Sequence, residues 1–306
     1  MFNKVKKYLK DNNLENAALL VAFSGGADST ALLHICSVLH QDVTAVHLNH
    51  GWRGEESDED EVCAENFCKK LGIKFYSEKL SGDISPTETD AREARYGFFE
   101  RCAKKFNADA IFLAHNKNDN VETLIYRLIK GTGLKGLCSI PKTRGIYHRP
   151  LLDITREEIE QYVKDNELEI RQDSSNDNIN YARNFIRKEI LPKFLELNPN
   201  SLDAIENLTR IAQGQQKIIE ETTLSVMKNK ETLDTQKFLS LPHELRMSVL
   251  HNFLKDDLKN CAYWKFEELL DIIQENSKYP SVKKTSLNSK LFLAVNKLEI
   301  AKIPVL

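Results

Sequence analysis

The sequence predicts an α/β protein: a doubly wound parallel sheet followed by a smaller, mostly helical C-terminal domain. Three observations predict it. Short apolar runs alternate with helix-length stretches through residues 17–130, the pattern of strands joined by crossover helices. Glycine and polar residues gather just after those runs, where parallel sheets put their ligand sites. Beyond about residue 195 the texture changes, and apolar residues recur every three to four positions with few glycines.

Each element has its own reason. Ala17 to Phe23 is a continuous apolar run stopped by Gly25 and Gly26, as suits a strand buried on both faces. Leu32, Leu33, Ile35, Cys36 and Leu39 then mark one face of a helix over 28–39. Residues 42–48, rich in Val and Thr, form the next strand. A helix follows over 57–71, starting at Ser57 with acids in its first turn. Strands over 73–76 and 110–114 and helices over 88–106 and 119–130 complete the alternation. Pro192 and Pro199 punctuate the chain before a helical pattern over 201–256, and residues 281–304 alternate as in a small hairpin. The expected division is therefore 1–208 and 209–306.

Composition excludes several classes. Lys+Arg 43 against Asp+Glu 45 gives a net charge of −2, so any RNA surface must be a local basic patch. The apolar runs of about seven residues are far too short to span a bilayer. The first ten residues lack an apolar core with a small-residue cleavage site, so no export signal is expected. The six cysteines at 36, 63, 68, 102, 138 and 261 contain no Cys-x-x-Cys pair. That spacing speaks against a zinc ribbon or a clustered iron–sulfur site and for reduced thiols in a cytoplasmic protein.

Ser24-Gly25-Gly26-Ala27-Asp28-Ser29 stands between the first strand and the first helix. Paired glycines let an anion approach the backbone, and the helix N-terminus offers unpaired amides and a favourable dipole. A bare Gly-Gly turn with Asp and Ser as caps would be read as no more than a strand–helix turn. The full string is neither a Walker loop nor a Gly-x-Gly-x-x-Gly fingerprint. It resembles the PP-loop of the N-type ATP pyrophosphatases.

Further segments, in order, resemble the tRNA(Ile)-lysidine synthases. They are Asn49-His50-Gly51-Trp52-Arg53, the stretch Glu88 to Phe98 with Arg92, Arg95 and Tyr96, and the stretch His115 to Thr123 with Asn118, Asp119 and Glu122. Gly131 to Leu137 with Lys135, Arg149-Pro150-Leu151-Leu152, Asp173 to Asn176, and Arg183 to Arg187 follow. The likeness is dense over roughly 17–195 and only textural beyond. It implies a cytoplasmic ATP-dependent ligase that adenylates the C2 oxygen of the wobble cytidine of a CAU-anticodon tRNA(Ile). Pyrophosphate leaves, and free L-lysine then displaces AMP to form lysidine. The alternative is another PP-loop enzyme, one that modifies tRNA or adenylates a small molecule.

The resemblance also implies roles. Ser24 to Ser29 and His50 would bind ATP. Asp28, Asp119, Glu122, Arg95 and Arg149 would be catalytic, with Asp119 holding Mg²⁺. Lys135, Arg183 and Arg187 would contact tRNA, and residues 209–306 would form a tRNA-recognition domain. No membrane is implied, and an oligomer is compatible. Each residue has a plainer reading. Asp119 and Glu122 favour a helix dipole wherever they sit in a first turn. Arg92 and Arg95 suit a solvated face, and His115 equally suits a satisfied core position. The pattern departs at Asn118, where the family has a second Asp and an amide is the weaker metal ligand, and at Ser174, where Pro is usual. The run Glu55 to Glu61, six acids in seven positions, repels phosphate and reads as a solvated helix face. Lys4, Lys6, Lys7 and Lys10, and Lys283, Lys284, Lys290 and Lys297, are two further basic groups.

Overall fold

The computed structural model describes every residue except 41, 52–53, 81–87, 172–181, 255, 259–262, 289–290 and 305–306. Trp52, Arg53, residues 173–176, Cys261 and Lys290 therefore lie outside the described residues. The chain divides into two compact units, Met1–Thr209 and Arg210–Leu306.

The first unit opens with α1 (Phe2–Asp11), β1 (Leu19–Ala22), α2 (Ala27–Leu39), β2 (Val43–Asn49), α3 (Glu55–Leu71) and β3 (Lys74–Lys79). Next come α4 (Glu88–Phe106), β4 (Ala110–Phe112), α5 (Lys117–Ile129) and α6 (Leu134–Leu137). A hairpin of β5 (Thr143–Arg144) and β6 (Tyr147–His148) precedes α7 (Arg156–Asp165). After α8 (Ala182–Phe185) come a π-helical turn over Ile186–Ile190, α9 (Leu191–Leu197) and α10 (Ser201–Val226), whose last turns belong to the second unit.

Among the described residues six strands form one sheet in the order β3-β2-β1-β4-β6-β5. All neighbours are parallel except the β5–β6 edge, with Leu19 opposite both Val43 and Ala110. The period-two geometry of β1 sorts its side chains between two cores. Leu19, Val21 and Phe23 pack with α1, α2, α3 and α7, while Leu20 packs with Val46, Ile111 and Phe98 of α4. Burial on both faces explains why β1 is one unbroken apolar run.

From β1 the chain winds outward through β2 and β3, then returns to the other side of β1 as β4. Strand order thus reverses between β1 and β4. Their carboxyl ends, at Phe23 and Leu113, flank the crevice in which such sheets bind ligands.

Two local expectations change. Helix α3 begins at Glu55, behind Gly54, rather than at Ser57. Its acids are not merely a solvated face. Asp58 pairs with Lys79 at 2.5 Å, Asn49 donates to Asp58 and Glu61 at 2.8 Å each, and Arg171 donates to Asp60 at 2.7 Å.

The second unit carries β7 (Met227–Asn229), β8 (Thr232–Asp234), α11 (Thr235–Leu239), α12 (His243–Leu254) and α13 (Tyr263–Asn276). It ends with β9 (Lys283–Asn288), β10 (Leu291–Val295) and β11 (Glu299–Pro304). Helical residues are joined there by an antiparallel sheet ordered β7-β8-β11-β10-β9, larger than the hairpin expected over 281–304. Residues 281–304 hold three strands rather than two, and β7 and β8, three residues each, interrupt the helical pattern of 201–256. Three residues are too few for an alternation to register. Phe238, Leu250, Phe266, Leu293 and Ile300 share this unit's own core.

Phe112 is fully buried, edge-on to Tyr8 at 6.4 Å and beside His148 at 5.9 Å. Phe112→Ala is expected to cost about 3–5 kcal/mol in denaturant unfolding. A loss below about 1 kcal/mol would mean the β4 ring does not anchor the sheet.

Candidate active site

The loop after β1 is shaped by its glycines and serines. Gly25 has φ +85°, a region L side chains rarely enter, while Gly26 caps α2 with φ −75° and ψ 165°. The Ser24 N–H donates to Ser29 Oγ at 3.2 Å, and Ser29 Oγ donates to the Gly26 carbonyl at 3.1 Å. Gly26 offers α2 no side-chain cap, so the amides of the first helical turn are left for another acceptor. A Cβ on Gly26 would sit 3.7 Å from Ser24 Oγ. That is ordinary contact, so the fold itself does not demand glycine there.

The loop after β4 answers it across the crevice. Asn116 caps α5 in a capping box: it accepts from the Asp119 N–H at 2.9 Å, while its own N–H donates to Asp119 Oδ2 at 3.0 Å. Its remaining Nδ2 donates to Asp28 Oδ1 at 3.0 Å. One fully buried amide side chain therefore ties the two loops together. Burial first, and the Asp119 charge second, hold the Asp28 carboxyl above its ordinary range.

Glu122, one turn along α5, is 2% exposed. Arg187, on the π-helical turn, grips it with two bonds of 2.7 and 2.9 Å and reaches Asp119 at 3.3 Å. Arg156 adds longer contacts to Asp119 at 3.8 Å and Glu122 at 3.9 Å. Burial opposes the Arg187 charge, yet Glu122, Asp119 and Asp28 more than offset it and raise its affinity for the proton. The bidentate geometry is the strong form of such a pair.

A basic group shares His115 with these carboxylates. Arg149 is buried, donates to the Pro141 carbonyl at 2.8 Å and to the Tyr96 oxygen at 3.4 Å, and keeps a buried Nε with no partner among the described residues. Arg92 and Arg144 each lie 5.1 Å from the Tyr96 ring centre. His115 sits where the two fields meet. Burial, then Arg149, Arg183 and Arg92, push its pKa down to about 4 against the pull of Asp119. His50 also falls to about 4, from burial first and then from Arg95 and His47. Both rings are neutral near pH 7.

A family model described as a PP-loop domain matches residues 1–194. The chain belongs to the PP-loop domain family. Among curated relatives, tRNA(Ile)-lysidine synthase of Clostridium tetani is 40% identical over 218 residues, 68% of this chain and 46% of that protein. The Clostridium perfringens protein of the same name is 42% identical over 233 residues, 72% of this chain and 49% of that one. That of Porphyromonas gingivalis is 35% identical over 288 residues, 85% and 61% of the two chains. The chain thus spans about half the length of the curated relatives it matches first. A solved U34-tRNA thiolase from Methanococcus maripaludis shares the fold, with TM-score 0.58 and 19% identity over 69% of this chain and 77% of that one.

Within this PP-loop protein the sequence-predicted residues separate into groups. Ser24 to Ser29, Asp28, Asp119 and Glu122 come together at the β1–β4 reversal. Arg187 joins them as the partner of Glu122. Arg149 and Arg183 act on His115, and exposed Arg95 acts on His50. Lys135 stands exposed on the short α6, and among the described residues no hydrogen bond or ion pair ties it to the carboxylates. Asn118, where the pattern departs, is buried, and its Oδ1 accepts the Arg156 N–H at 3.0 Å. That oxygen serves the start of α7.

Asn116, Arg156, Lys117 and Arg171 were not singled out from the sequence. Lys117 is buried, bonds to Asp203, and pairs with Glu206 at 2.7 Å, fixing the first turn of α5. The capping signal Asn116-x-x-Asp119 was the one legible clue. The described cysteines are free, and burial pushes the Cys36 and Cys68 thiols up to about 12. Among the described residues no group of three or more His, Cys, Asp or Glu is arranged to hold a metal ion.

The two neutral histidines set a pH dependence. The folded chain refuses their protons down to about pH 4, whereas unfolded imidazole takes one near 6.5. Between those values the unfolded state binds more protons, so stability falls as pH drops from about 6.5 toward 4. Asp28 acts oppositely at the acid end, since its proton uptake favours the folded state. His115→Gln is expected to flatten the fall in melting temperature across that window. An unchanged slope would mean the ring is freely protonated in the folded protein.

Proposed function

We propose that this chain carries out the tRNA(Ile)-lysidine synthase reaction. The C2 oxygen of the wobble cytidine attacks the α-phosphorus of ATP, and the bond to pyrophosphate breaks. The ε-amine of free lysine, as the neutral amine, then forms a bond to C2, the C2–O bond breaks, AMP leaves with that oxygen, and the new C2–N nitrogen releases one proton. The observation that carries the reading is the Asn116–Asp28 bond. It sets the uncapped amides of the glycine loop beside a carboxylate pair at the sheet's ligand crevice. Identity of 40–42% to named lysidine synthases over this same region supports it.

The roles follow from what each group offers. The amides of residues 24–29 suit the departing pyrophosphate. Asp28 and Asp119 suit Mg²⁺, which takes one or two carboxylates together with substrate phosphates. The fit rests on Asp28: its carboxylate is half-buried beside the Asp119 charge, a field that a dication relieves. Bound there, Mg²⁺ would neutralise charge on the triphosphate. Glu122 is committed to Arg187 and is better placed to orient that arginine than to bind metal. Arg149, whose buried Nε has no partner among the described residues, is positioned for anionic or carbonyl oxygen. His50 belongs with the nucleotide, Arg95 with the reacting phosphate or cytidine, and Arg183 and Lys135 with RNA.

The second unit, close to the expected 209–306 division, would serve tRNA recognition. Lys283 and Lys284 lie exposed on the edge strand β9, and the Lys297 N–H donates to the Tyr279 carbonyl at 3.1 Å nearby. Among the described residues no helix is long and apolar enough to cross a membrane.

The test is mass spectrometry of nucleosides after incubation with ATP, lysine and a CAU-anticodon tRNA(Ile) transcript, with pyrophosphate measured in parallel. Lysidine and pyrophosphate release that requires the tRNA are expected. Release without tRNA would turn the reading toward small-molecule adenylation. Asp28→Asn is expected to lower the release rate at least a hundredfold, on the scale of a lost transition-state contact. Its melting temperature should hold or rise, because a half-buried, disfavoured charge is gone. A fall of many degrees would mark Asp28 as a structural residue.

A further inference from the structure

Arg171 follows α7 and lies outside every segment discussed as catalytic, yet it touches the phosphate loop. Its N–H donates to the Gly25 carbonyl at 3.0 Å. Its side chain runs the other way, to the acids of α3, with Nε on Asp60 Oδ1 at 2.7 Å and Nη2 on Glu59 Oε2 at 3.2 Å. Asp60 is the better sheltered acid, 16% exposed against 70% for Glu59.

The consequence follows from peptide geometry. In a planar trans peptide the carbonyl of one residue and the N–H of the next point in opposite directions. Fixing the Gly25 carbonyl on Arg171 therefore turns the Gly26 N–H to the far side of that peptide, away from Arg171. Glycines flank this peptide on both sides, so few peptides in the chain can flip at so little steric cost. Gly25 already sits at φ +85°. An anion site built from amides needs those amides held in one orientation before the ligand arrives. Among the described residues the loop's own hydrogen bonds go to Ser24, Ser29 and the Gly26 carbonyl, and none restrains the 25–26 peptide.

We infer that Arg171 is a positioning residue for the phosphate loop, with Asp60 as its anchor. It holds the Gly25–Gly26 peptide with the Gly26 amide turned toward the diphosphate end of the nucleotide. This rests on the reading that the loop binds the pyrophosphate portion of ATP. Ion pairs this exposed add little to global stability, so the role is separable from folding.

The experiment uses the full chain and compares wild type, Arg171→Ala, Arg171→Lys, Asp60→Asn and the Arg171→Ala/Asp60→Asn double variant. Binding of inorganic pyrophosphate by calorimetry, KM for ATP, KM for lysine and melting temperature are measured. Arg171→Ala is expected to weaken pyrophosphate binding and raise KM for ATP roughly tenfold, with KM for lysine and melting temperature held. Asp60→Asn moves the same way by less. Arg171→Lys recovers part of the loss, because a single ammonium can still reach Asp60. The double variant is no worse than Arg171→Ala, since both changes cut one linkage.

Undiminished pyrophosphate binding in Arg171→Ala overturns the inference, as does an equal rise in both KM values or an additive double variant. A large fall in melting temperature, in Asp60→Asn as well as Arg171→Ala, makes the linkage structural and also overturns it. Wild-type protein that binds no pyrophosphate removes the loop reading itself and this inference with it. Binding by wild type and Arg171→Ala alike removes the inference alone.

Discussion

The hydrogen bond from Asn116 to Asp28 is the constraint on which the rest of the site depends. It joins residues 88 apart in sequence across the point where the sheet reverses its strand order. Without it, the loop after β1 and the helix after β4 would be independent surface connections. With it, the capping box of α5 and the first turn of α2 share one side chain. The geometry of Asp119 is then coupled to that of Asp28. Full burial of Asn116 makes the coupling stiff, because each of its polar atoms must keep a partner away from water.

The electrostatics follow from that arrangement. Two carboxylates are brought near each other in a partly dry crevice, and the cost shows in the raised proton affinity of Asp28. Arg187 and Arg156 offset part of the negative field, yet their contacts go to Asp119 and Glu122 rather than to Asp28. The residual negative charge thus stands next to the loop amides. The arginines near Tyr96 form a basic group whose field meets that of Asp119 at His115. A site with an acidic group, a basic group and a set of backbone amides suits a substrate whose charge is redistributed during reaction. Phosphoryl or adenylyl transfer has that character.

The fold was legible because its signals are local. Apolar runs near seven residues, glycine stops and helical faces all fall within a short window, and they returned β1, α2, β2 and α4 to within a few residues. Strands β5, β6, β7 and β8 have two or three residues each. They exist because a neighbouring strand offers a ladder, a fact no window of sequence contains. In the candidate site the chemistry-bearing residues were legible by type. Their wiring was not. Arg187 and Glu122 are 65 residues apart, and Arg171 and Asp60 are 111 apart. The reading of Arg187 as an RNA contact came from the family resemblance and from its spacing to Arg183, and that of Glu55 to Glu61 as a solvated face came from the charge run alone. Pairing across the fold gave the arginine a carboxylate and four of the acids specific partners.

Asn118 shows how a departure from a pattern is weighed once the fold is known. If this position held a metal, replacing a carboxylate with an amide would weaken the site, since an amide brings no charge. Here the Asn118 oxygen accepts the first N–H of α7, an orphan donor that needs an acceptor. An amide oxygen meets that need without adding a third negative charge beside Asp28 and Asp119. The same bond fixes the start of α7, from which Arg156 reaches Asp119 and Glu122. The substitution therefore leaves the carboxylate pair intact and shifts position 118 from the charge balance of the crevice to its scaffold.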